Sequence, residues 1–570
     1  MTRINYYIFV CFLLFSFTQT DKKDYPKDDF RSPVDYQILL SGTFGELRPN
    51  HFHAGIDIKG AVGKKLYSIA DGYVSRIKVS EGGYGNVLYI DHPNGYTSVY
   101  AHLQRFDKAI EEYILTAQKN AQTFEIELFP ARDQFLLKKG QVIGTMGVSG
   151  RSFGPHLHFE IRDTKTEQPI NPLFFGFDVK DTRPPKMHEI RVYHLSPEVE
   201  TLDAKSHFLI RKGSKYGVKG DTLMINAWRV GFGLKAYDHM NGASNWNGIY
   251  EVKMFVDEEL AFQFDMETFA FSETRYLNAH LDYEEQVSKK SYFNRCFRLP
   301  GNQLSIYEYP EAQGIVRLNS KKAKKIRMVA RDVVGNEKEL VFWAKRKTNM
   351  TDPPGRVYNY LLPYNEKNII ETASAKIFFP EGTFYENMYL QYTASFEDSY
   401  NVYSAVHQIH DHKTPVHKFY DLAIRPTFIP ENLKSKAFIA YCDQKNRIYN
   451  CGGTWENDML KTKVRDLGAF YVMTDTKPPS IKPSSFRKNL RGRKTMSFKI
   501  RDNYRSARNV DGLSYYATVD GQWILMRFDA KNDLLFHRFE ADFPKGEHQL
   551  RLVVKDAVGN ESVFESKFLR

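Results

Sequence analysis

The sequence predicts an all-β protein of several domains, and its length, its aromatic content and its strand-like runs support this. The chain has 570 residues, a length that predicts about three to five domains. Aromatic residues make up 14% of the chain, with 35 Tyr and 42 Phe, and aromatic and β-branched runs recur between turn signals. With 42% apolar and 26% charged residues, the composition excludes wholesale disorder, a collagen-like chain and a long coiled coil.

The charge of the chain is moderately positive and dispersed. Its 80 basic and 68 acidic residues give a formal charge of +12. No Lys/Arg block and no nucleic-acid motif is present, so we expect no nucleic-acid partner. Dispersed positive charge is typical of a solvated surface of mixed charge, and it also fits weak attraction to an anionic cell wall.

The segment Met1–Thr20 has the outline of a signal peptide. One Arg near the start is followed by the apolar run Tyr6–Phe17 and then by small or polar residues before Asp21. The run is shorter than the about 20 residues of a membrane span, and no later segment replaces it, although uncleaved anchoring is an alternative. Cys11 lacks the small residues of a lipoprotein cleavage site before it. We therefore expect an exported protein of the periplasm or cell envelope, without a lipid or an integral span after cleavage.

The informative part of the chain is the segment Ser32–Asp178, which contains three histidine motifs. They read HAGID (53–57), YAHL (100–103) and GPHLHFE (154–160). In a strand, residues two apart project from the same face, so His156 and His158 would point into a cleft while Leu157 and Phe159 pack behind them. The H-x-x-x-D spacing can bring His53 and Asp57 to one point, where a third ligand from the HLH strand would complete a metal site.

Two imidazoles and a carboxylate form a ligand set suited to Zn²⁺, and three protein ligands leave a fourth position open. A histidine that is not a ligand can then act as a general base. His102 and the spare member of the HLH pair fit that role. His51 has the wrong offset to Asp57, so we expect it to support the site from outside or to be exposed.

At these residues the segment resembles the lysostaphin-type, or LytM-like, zinc metallopeptidases, which hydrolyse peptide cross-bridges in bacterial cell walls. The similarity runs over about Gly42–Pro172 and includes the three histidine motifs. The resemblance implies a duplicated-hybrid-motif β fold, with His53, Asp57 and His158 as zinc ligands. It also implies that His102 and His156 are the catalytic pair. One departure is an insertion at residues 105–135, in which Lys108–Gln118 has the apolar spacing of an amphipathic helix and Phe124–Leu128 alternates like a strand. This insertion could be a lid, a wall of the substrate cleft or a surface elaboration.

A repeated phrase divides the rest of the chain. Asp181–Pro185 and Asp475–Pro479 are nearly identical, and each is followed downstream by a D-x-V-G-N turn, Asp332–Asn336 and Asp556–Asn560. Such repetition indicates a duplicated domain, and these phrases resemble bacterial immunoglobulin-like sandwiches. The intervening segment lacks both phrases, which predicts a β domain of a different type. The predicted boundaries are 1–20 for the signal peptide, 32–178 for the metallopeptidase domain, 181–347 and 475–570 for the immunoglobulin-like domains, and 353–474 for the other β domain.

Cysteines are sparse, with four in the chain, so a disulfide scaffold is excluded. Cys442 and Cys451 lie on the two arms of a predicted hairpin. They could form a disulfide in an oxidising compartment or remain two thiols, because one sequence does not give the strand register.

The sequence therefore predicts an exported, zinc-dependent endopeptidase acting on peptidoglycan peptide stems. Two alternatives are a non-enzymatic cell-wall regulator that activates an amidase, and a wall-docking protein. The stiff Pro-Pro linkers and the repeated phrases predict self-contained cores in the C-terminal β domains. We expect those domains to act as spacers or as docking surfaces for the wall or other envelope proteins, rather than to complete the active site.

Overall fold

The computed structural model describes residues 23–308, 311, 313–319, 322–351, 353, 355–396 and 401–570. The predicted signal peptide and Cys11 lie outside these residues. Strands make up 44% and helices 7% of the protein, so the predicted all-β fold is confirmed. Within the described ranges, no helix has the length and apolar character needed to cross a membrane.

The first region, residues 23–178, is built on an antiparallel sheet. Its central strand, His156–Asp163, pairs with Ile56–Lys59 on one side and Tyr96–Ala101 on the other. The strands of this region are Leu40–Gly42, Leu47–Arg48, His51–Phe52, Ile56–Lys59, Lys65–Tyr67, Gly72–Val79, Val87–Asp91, Tyr96–Ala101, Leu103–Phe106, Ile126–Leu128, Leu136–Leu137, Val142–Met146, His156–Asp163 and Pro169–Ile170, followed by the 3₁₀ helix Pro172–Phe175. Leu157 and Phe159 of this strand are buried, as expected for the face opposite His156 and His158.

The insertion folds as predicted, into a helix and a strand. Helix Lys108–Ala121 begins at Asp107, whose carboxylate accepts a hydrogen bond from the Ala109 amide, and ends at Gln122 in the left-handed conformation. Its apolar side packs on the core of the first region. Strand Ile126–Leu128 then adds an edge to the main sheet beside Gly72–Val79.

The second region, residues 181–347, has two sheets around an apolar core. Its strands are Lys186–Leu195, Thr201–Phe208, Ile210–Lys212, Lys215–Gly217, Thr222–Ile225, Arg229–Tyr237, Glu251–Val256, Glu259–Asp265, Asn294–Arg295, Val316–Arg317, Lys324–Arg331 and Glu337–Arg346. Its helices are the 3₁₀ helix Thr274–Tyr276 and the α-helices Leu277–His280 and Tyr283–Lys289. The core is not self-contained, because Phe44 and Phe52 of the first region belong to it. The expectation of an independent core is therefore wrong here.

The contact between the first two regions is aromatic. The rings of Phe44 and Phe52 lie 5.1 and 5.4 Å from that of Phe269, and all three side chains are buried. The Phe52 amide also donates to the Thr274 hydroxyl at 2.9 Å. A sequence read segment by segment cannot reveal a core that two segments share.

We expect Phe269→Ala to destabilise the first and second regions together by about 3–5 kcal/mol, because it removes a buried ring from this shared core. Calorimetry should show one transition, shared by the two regions, moving to lower temperature. Phe129→Ala is the matched control, since that ring is 69% exposed and its removal should change stability by about 0.5 kcal/mol or less. An unchanged melting profile for Phe269→Ala would contradict the shared core.

The third region, residues 353–474, has its own apolar cluster. Its strands are Tyr360–Leu362, Asn368–Glu371, Ala375–Phe379, Met388–Leu390, Tyr392–Ser395, Val406–Ile409, Tyr420–Ile424, Ala437–Cys442, Ile448–Asn450, Thr454–Glu456, Met459–Val464 and Gly468–Thr474, with the 3₁₀ helix Glu431–Lys436. Cys442 pairs with Ile448, whereas the Cys451 amide bonds the Ile439 carbonyl. This offset of three positions puts the two side chains on opposite faces of the hairpin, which favours the thiol alternative.

The fourth region, residues 475–570, has two four-stranded sheets that enclose an apolar cluster. Its strands are Ser480–Pro483, Thr495–Arg501, Arg505–Ser506, Ser514–Val519, Gln522–Trp523, Arg527–Asp529, Leu534–Arg538, Glu547–Lys555 and Glu561–Leu569. Arg505–Ser506 lies outside these two sheets and pairs with Ile448–Asn450 of the third region. We propose immunoglobulin-like sandwiches for the second and fourth regions, and the predicted boundaries for all four, because the sheets of each region are formed almost entirely by its own strands.

The fourth region returns to contact the first. Tyr515 donates to the Glu81 carboxylate at 2.7 Å, and Lys531 donates to the Ser152 carbonyl at 3.1 Å. An ion pair of 2.7 Å joins Lys119, in the last turn of the inserted helix, to Glu540. The inserted segment therefore provides part of the docking surface for the end of the chain.

Candidate metal centre

Strand register assembles the predicted site residues. On the central strand, His158 lies opposite Asp57 on one neighbouring strand and opposite Ala101 on the other. His102 directly follows Ala101, so it lies beside His158. His53 precedes the strand Ile56–Lys59 and reaches the same point from the chain before it.

The three predicted ligands meet with their acceptor atoms facing one another. His53 Nε2 lies 3.1 Å from Asp57 Oδ1, and His158 Nδ1 lies 3.0 Å from the same oxygen. The two nitrogens are 2.9 Å apart. All three side chains are buried, and among the described residues they form one of three groups that could hold a metal ion.

The outer nitrogen of each imidazole is held by an acceptor. His53 Nδ1 donates to the Thr43 carbonyl at 2.7 Å, and His158 Nε2 donates to the Glu160 carboxylate at 2.8 Å. In the neutral rings, the lone pairs of His53 Nε2 and His158 Nδ1 therefore point at Asp57 Oδ1. Three acceptors at this spacing repel unless a cation or proton lies between them, and an N₂O set of this kind fits Zn²⁺.

Arg48 fixes the orientation of the carboxylate. Its Nη2 lies 2.6 Å from Asp57 Oδ2, which leaves Oδ1 as the oxygen that faces the imidazoles. Burial acts against ionisation of Asp57, but the facing charges of His53 and His158 and their hydrogen bonds hold its pKa well below the ordinary value. The carboxylate is therefore ionised and presents one oxygen to the cluster.

A buried chain of charges supports His158 from behind. Glu160 accepts from His158, from the Tyr84 hydroxyl and from Arg162 Nε, the last at 2.7 Å. Burial opposes ionisation of Glu160, but the Arg162 charge and the hydrogen bond from His158 lower its pKa to about 2. For His158, burial is outweighed by hydrogen bonds to Asp57 and Glu160, which raise its pKa to about 9. A metal ion would displace the proton held there.

Sequence reasoning missed Glu160, Tyr84 and Arg48. Glu160 lies two residues after His158, on the same face of the strand, and this alternation could have identified it. Nothing in the spacing of Tyr84 or Arg48 indicates their contacts, because each reaches the site from a separate hairpin.

His102 and His156, the predicted catalytic pair, lie beside the ligand cluster. Their ring centroids are 4.8 Å apart. His102 Nδ1 donates to the Ser149 carbonyl at 2.8 Å, and His156 Nδ1 donates to the Gly154 carbonyl at 2.8 Å. In a ring held in this way, Nε2 carries a lone pair in the neutral form and a proton in the imidazolium form. His156 Nε2 lies 3.5 Å from Asp57 Oδ1.

The backbone and the surroundings of His102 are both specialised. Its φ of +62° lies in the left-handed region, which is uncommon for a residue other than glycine and is often found where function constrains the chain. Burial, followed by the charges of His158 and His156, lowers its pKa to about 3. His102 is therefore neutral near pH 7, with a nitrogen free to accept a proton.

His51 lies outside the cluster. It is exposed, and its Nδ1 lies 3.0 Å from the Pro49 carbonyl. This agrees with the expectation that it is not a ligand. The loop around Ser152, which Lys531 contacts, also holds the carbonyls that orient His102 and His156.

Comparison with known families gives two matches. Residues 51–124 and 131–172 match Peptidase family M23. Residues 359–475 match a Zu5-like domain.

Curated relatives match about a quarter of the chain. These are the DD-carboxypeptidase/endopeptidase Mpg of Neisseria meningitidis, 36% identical over 121 residues, the peptidoglycan DD-endopeptidase ShyC of Vibrio cholerae, 32% identical over 138 residues, and the murein hydrolase activator NlpD of Escherichia coli, 32% identical over 148 residues. The alignments cover 21%, 23% and 26% of this chain, and 22%, 26% and 31% of the respective relatives. The chain thus spans about a quarter of the length of these relatives.

A solved structure also aligns with this part of the protein. It is the catalytic domain of the M23 protein EnpA from Enterococcus faecalis, with 25% sequence identity and a TM-score of 0.19, and the alignment covers 27% of this chain and 98% of that one. The family match covers the segment that carries His53, Asp57, His102 and the HLH strand. The chain therefore contains, in its first region, a domain of the LytM-like peptidase family M23.

Proposed function

We propose that the protein is an exported zinc-dependent endopeptidase that hydrolyses peptide cross-bridges of bacterial peptidoglycan. The observation that carries this proposal is a complete set of five side chains at one point. Three form an N₂O ligand group, and two are imidazoles beside it whose Nδ1 atoms are held by backbone carbonyls, which leaves each Nε2 for the reaction. The endopeptidase relatives support a cell-wall substrate.

In this proposal His53, Asp57 and His158 hold the zinc ion. Their atoms already converge, and Thr43, Glu160 and Arg48 orient them from behind. When bound, zinc supplies the Lewis acidity that peptide hydrolysis needs at neutral pH. The supporting groups hold the ligands in the tautomers and orientations that metal binding requires.

His102 and His156 carry the proton transfers. His102 accepts a proton from the attacking water at Nε2, because its Nδ1 already donates to the Ser149 carbonyl. The resulting imidazolium can then donate that proton to the leaving amine. His156 Nε2 lies at the edge of the ligand cluster. With its Nδ1–H held by the Gly154 carbonyl, the imidazolium form of His156 can donate from Nε2 to the substrate carbonyl oxygen as negative charge develops there.

A cationic cavity beside the cleft supports an anionic substrate. Its volume is about 330 Å³, and its lining includes one arginine from each of the four regions, Arg151, Arg275, Arg465 and Arg508. Burial and the charge of Arg275 lower the pKa of Arg465 to about 10. Four guanidinium groups in one cavity favour a ligand with carboxylates, and peptidoglycan stems carry such groups.

We therefore expect Arg508→Gln to raise KM for stem peptides with free carboxylates by about tenfold or more, the scale of one charge-assisted hydrogen bond, while kcat changes little. Steady-state assays should compare each peptide with its amidated form, for which the variant and the parent should be similar. Arg211→Gln, at an exposed strand position in the second region, is the control. An equal loss on both substrates would exclude carboxylate recognition at Arg508.

A second candidate function is activation of an amidase without catalysis. It is favoured by the similarity to NlpD, a murein hydrolase activator. Docking to the wall or to other envelope proteins through the C-terminal regions is compatible with either function.

The test is incubation of the purified protein with cell-wall sacculi, with and without a chelator, followed by mass analysis of released muropeptides. An endopeptidase releases products whose cross-bridge peptides are cut, and the chelator stops their release. An activator releases no product by itself and increases the output of an added amidase. Absence of product under both conditions, with zinc bound, would contradict the enzymatic proposal.

A further inference from the structure

Two groups of aspartates occur at equivalent places in the second and fourth regions. The first group is Asp181, Asp238 and Asp332, and the second is Asp475, Asp502 and Asp556. In each group, one carboxylate oxygen from every member lies within 4.8 Å of the others. The members come from the same three positions of the duplicated sequence: the D-T-x-P-P phrase, the end of a strand and the D-x-V-G-N turn.

Asp238 contributes a buried carboxylate to the first group, and one oxygen of this carboxylate has no hydrogen-bond partner among the described residues. The residue is 2% exposed, and among the described residues its Oδ1 accepts no hydrogen bond. Asp181 Oδ2 is also buried and also accepts no hydrogen bond from the described residues. Asn247, which faces Asp238 in an antiparallel bridge, is 1% exposed, and both polar atoms of its amide are also without a partner within the described part of the chain. Buried polar groups without partners are costly, so these atoms point to a missing ligand.

The other aspartates are held in position by the chain. Asp332 Oδ1 accepts from the Val334 and Asn336 amides, at 3.0 and 2.8 Å, and its Oδ2 accepts from Asn336 Nδ2 at 2.8 Å. Asp181 Oδ1 accepts from the Arg183 amide at 3.0 Å. These contacts orient the two carboxylates, and one oxygen of each lies within 4.8 Å of the ligand oxygens of the other members.

The second group repeats this arrangement. Asp556 Oδ1 accepts from the Val558 and Asn560 amides, again at 3.0 and 2.8 Å, and its Oδ2 accepts from Asn560 Nδ2 at 2.8 Å. Asp475 Oδ1 accepts from the Lys477 amide at 3.0 Å. Asp502 Oδ1 is buried and, like Asp238 Oδ1, is unpartnered among the described residues. The same hydrogen-bond geometry thus occurs in both groups, although the sequences around them differ.

The carboxylates repel one another in the absence of a cation. Burial and then the charges of Asp181 and Asp332 raise the pKa of Asp238 to about 8. Burial and then the charge of Asp475 raise the pKa of Asp502 to about 6. Arg183 is the basic side chain that most opposes the shift at Asp238, but its guanidinium is directed to the Met240 and Ala243 carbonyls.

We propose that each aspartate group binds one Ca²⁺ ion. Three carboxylates, with no nitrogen or sulfur donor in either group, are the ligands of a hard cation. We assign calcium because it accepts variable geometry, whereas magnesium requires a near-ideal octahedron. Calcium binding is independent of the zinc site, because neither aspartate group shares a ligand with it.

Each ion would join three separate pieces of its region. Asp181 and Asp475 belong to the phrases that enter the second and fourth regions, whereas Asp332 and Asp556 belong to the turns before the last strands. Asp238 and Asp502 directly follow the strands Arg229–Tyr237 and Thr495–Arg501. Calcium would therefore fix the incoming linker to the body of each sandwich.

The test uses the full-length zinc-loaded protein in buffer freed of calcium over a chelating resin and kept at one equivalent of Zn²⁺. Calorimetric titration with CaCl₂ should give two ions per chain, and excess MgCl₂ should not displace them. Asp238→Asn and Asp502→Asn should each remove one ion or weaken its binding by at least tenfold, and the double variant should remove both. Asp542→Asn, at an exposed position outside both groups, should retain two.

A fold defect is distinguished from loss of a ligand by melting in calcium-free buffer. There Asp238→Asn should melt no lower than the parent, because asparagine has the shape of the carboxyl group and no charge that Asp181 and Asp332 would repel. In calcium the parent alone should gain the full increase in melting temperature. Failure of the parent to take up calcium at 1 mM, or uptake that both asparagine variants leave unchanged, would overturn the proposal.

Discussion

Replacement of His102 by alanine is expected to lower turnover by about a hundred-fold or more while the protein retains its zinc, because His102 supplies a proton acceptor beside the ligand cluster and no ligand atom. Its Nδ1 is bonded to the Ser149 carbonyl, and its Nε2 is free for the reaction. Metal content by mass spectrometry and turnover of a cross-linked muropeptide measure the two effects separately.

The left-handed backbone at His102 calls for a second variant. Asparagine tolerates this conformation better than alanine, so His102→Asn removes the base with less backbone strain. Both variants should lose turnover to a similar degree if the chemistry of the imidazole is decisive. His207→Ala, in the second region, is the control and should remain active. Turnover near that of the parent in the His102 variants would make His102 a structural residue.

Replacement of Asp57 by alanine is expected to remove the metal and with it all measurable hydrolysis. The change eliminates one of three ligands and the carboxylate that Arg48 contacts at 2.6 Å, so the Arg48 charge next to the metal position is left with Glu46 alone, at 3.4 Å. Zinc content should fall from one ion per chain to a small fraction of that value, and activity should fall to the level of the chelated parent.

The Asp57 variant should keep the C-terminal regions folded, because they contribute no ligand to the zinc site. Circular dichroism and the upper thermal transitions report on them. Asp133→Ala, which changes an exposed carboxylate in the same region, is the control for loss of charge. Full zinc occupancy in Asp57→Ala would show that the ligand assignment is wrong.

Short sequence spacings were sufficient to predict much of the site. The alternation of His156, Leu157, His158 and Phe159 determines which side chains face the cleft, and this depends only on the geometry of one strand. The amphipathic helix of the insertion was predictable for the same reason, since Ile110 and Ile114 lie on one face. Interactions within one element leave a periodic signal in the sequence.

Interactions between distant elements leave no such signal. Arg48 reaches Asp57 from a separate hairpin, and Tyr515 reaches Glu81 across 434 residues. The stiff Pro-Pro linkers led us to expect C-terminal domains that fold independently of the first region and contribute nothing to the active site. The second region instead shares a core with the first, and all four regions contribute an arginine to the cationic cavity.

The contact between the two ends of the chain has a consequence for the order of folding. The Glu81–Tyr515 hydrogen bond closes a loop of 434 residues, which would be entropically costly for an unstructured chain. Folded second and third regions shorten the effective loop, because they hold its ends at a fixed separation. Docking of the fourth region is therefore expected as a late step, after the intervening regions have formed. Until then, the loop that orients His102 and His156 lacks its contact with Lys531, so maturation of the catalytic cleft is coupled to arrival of the C-terminus.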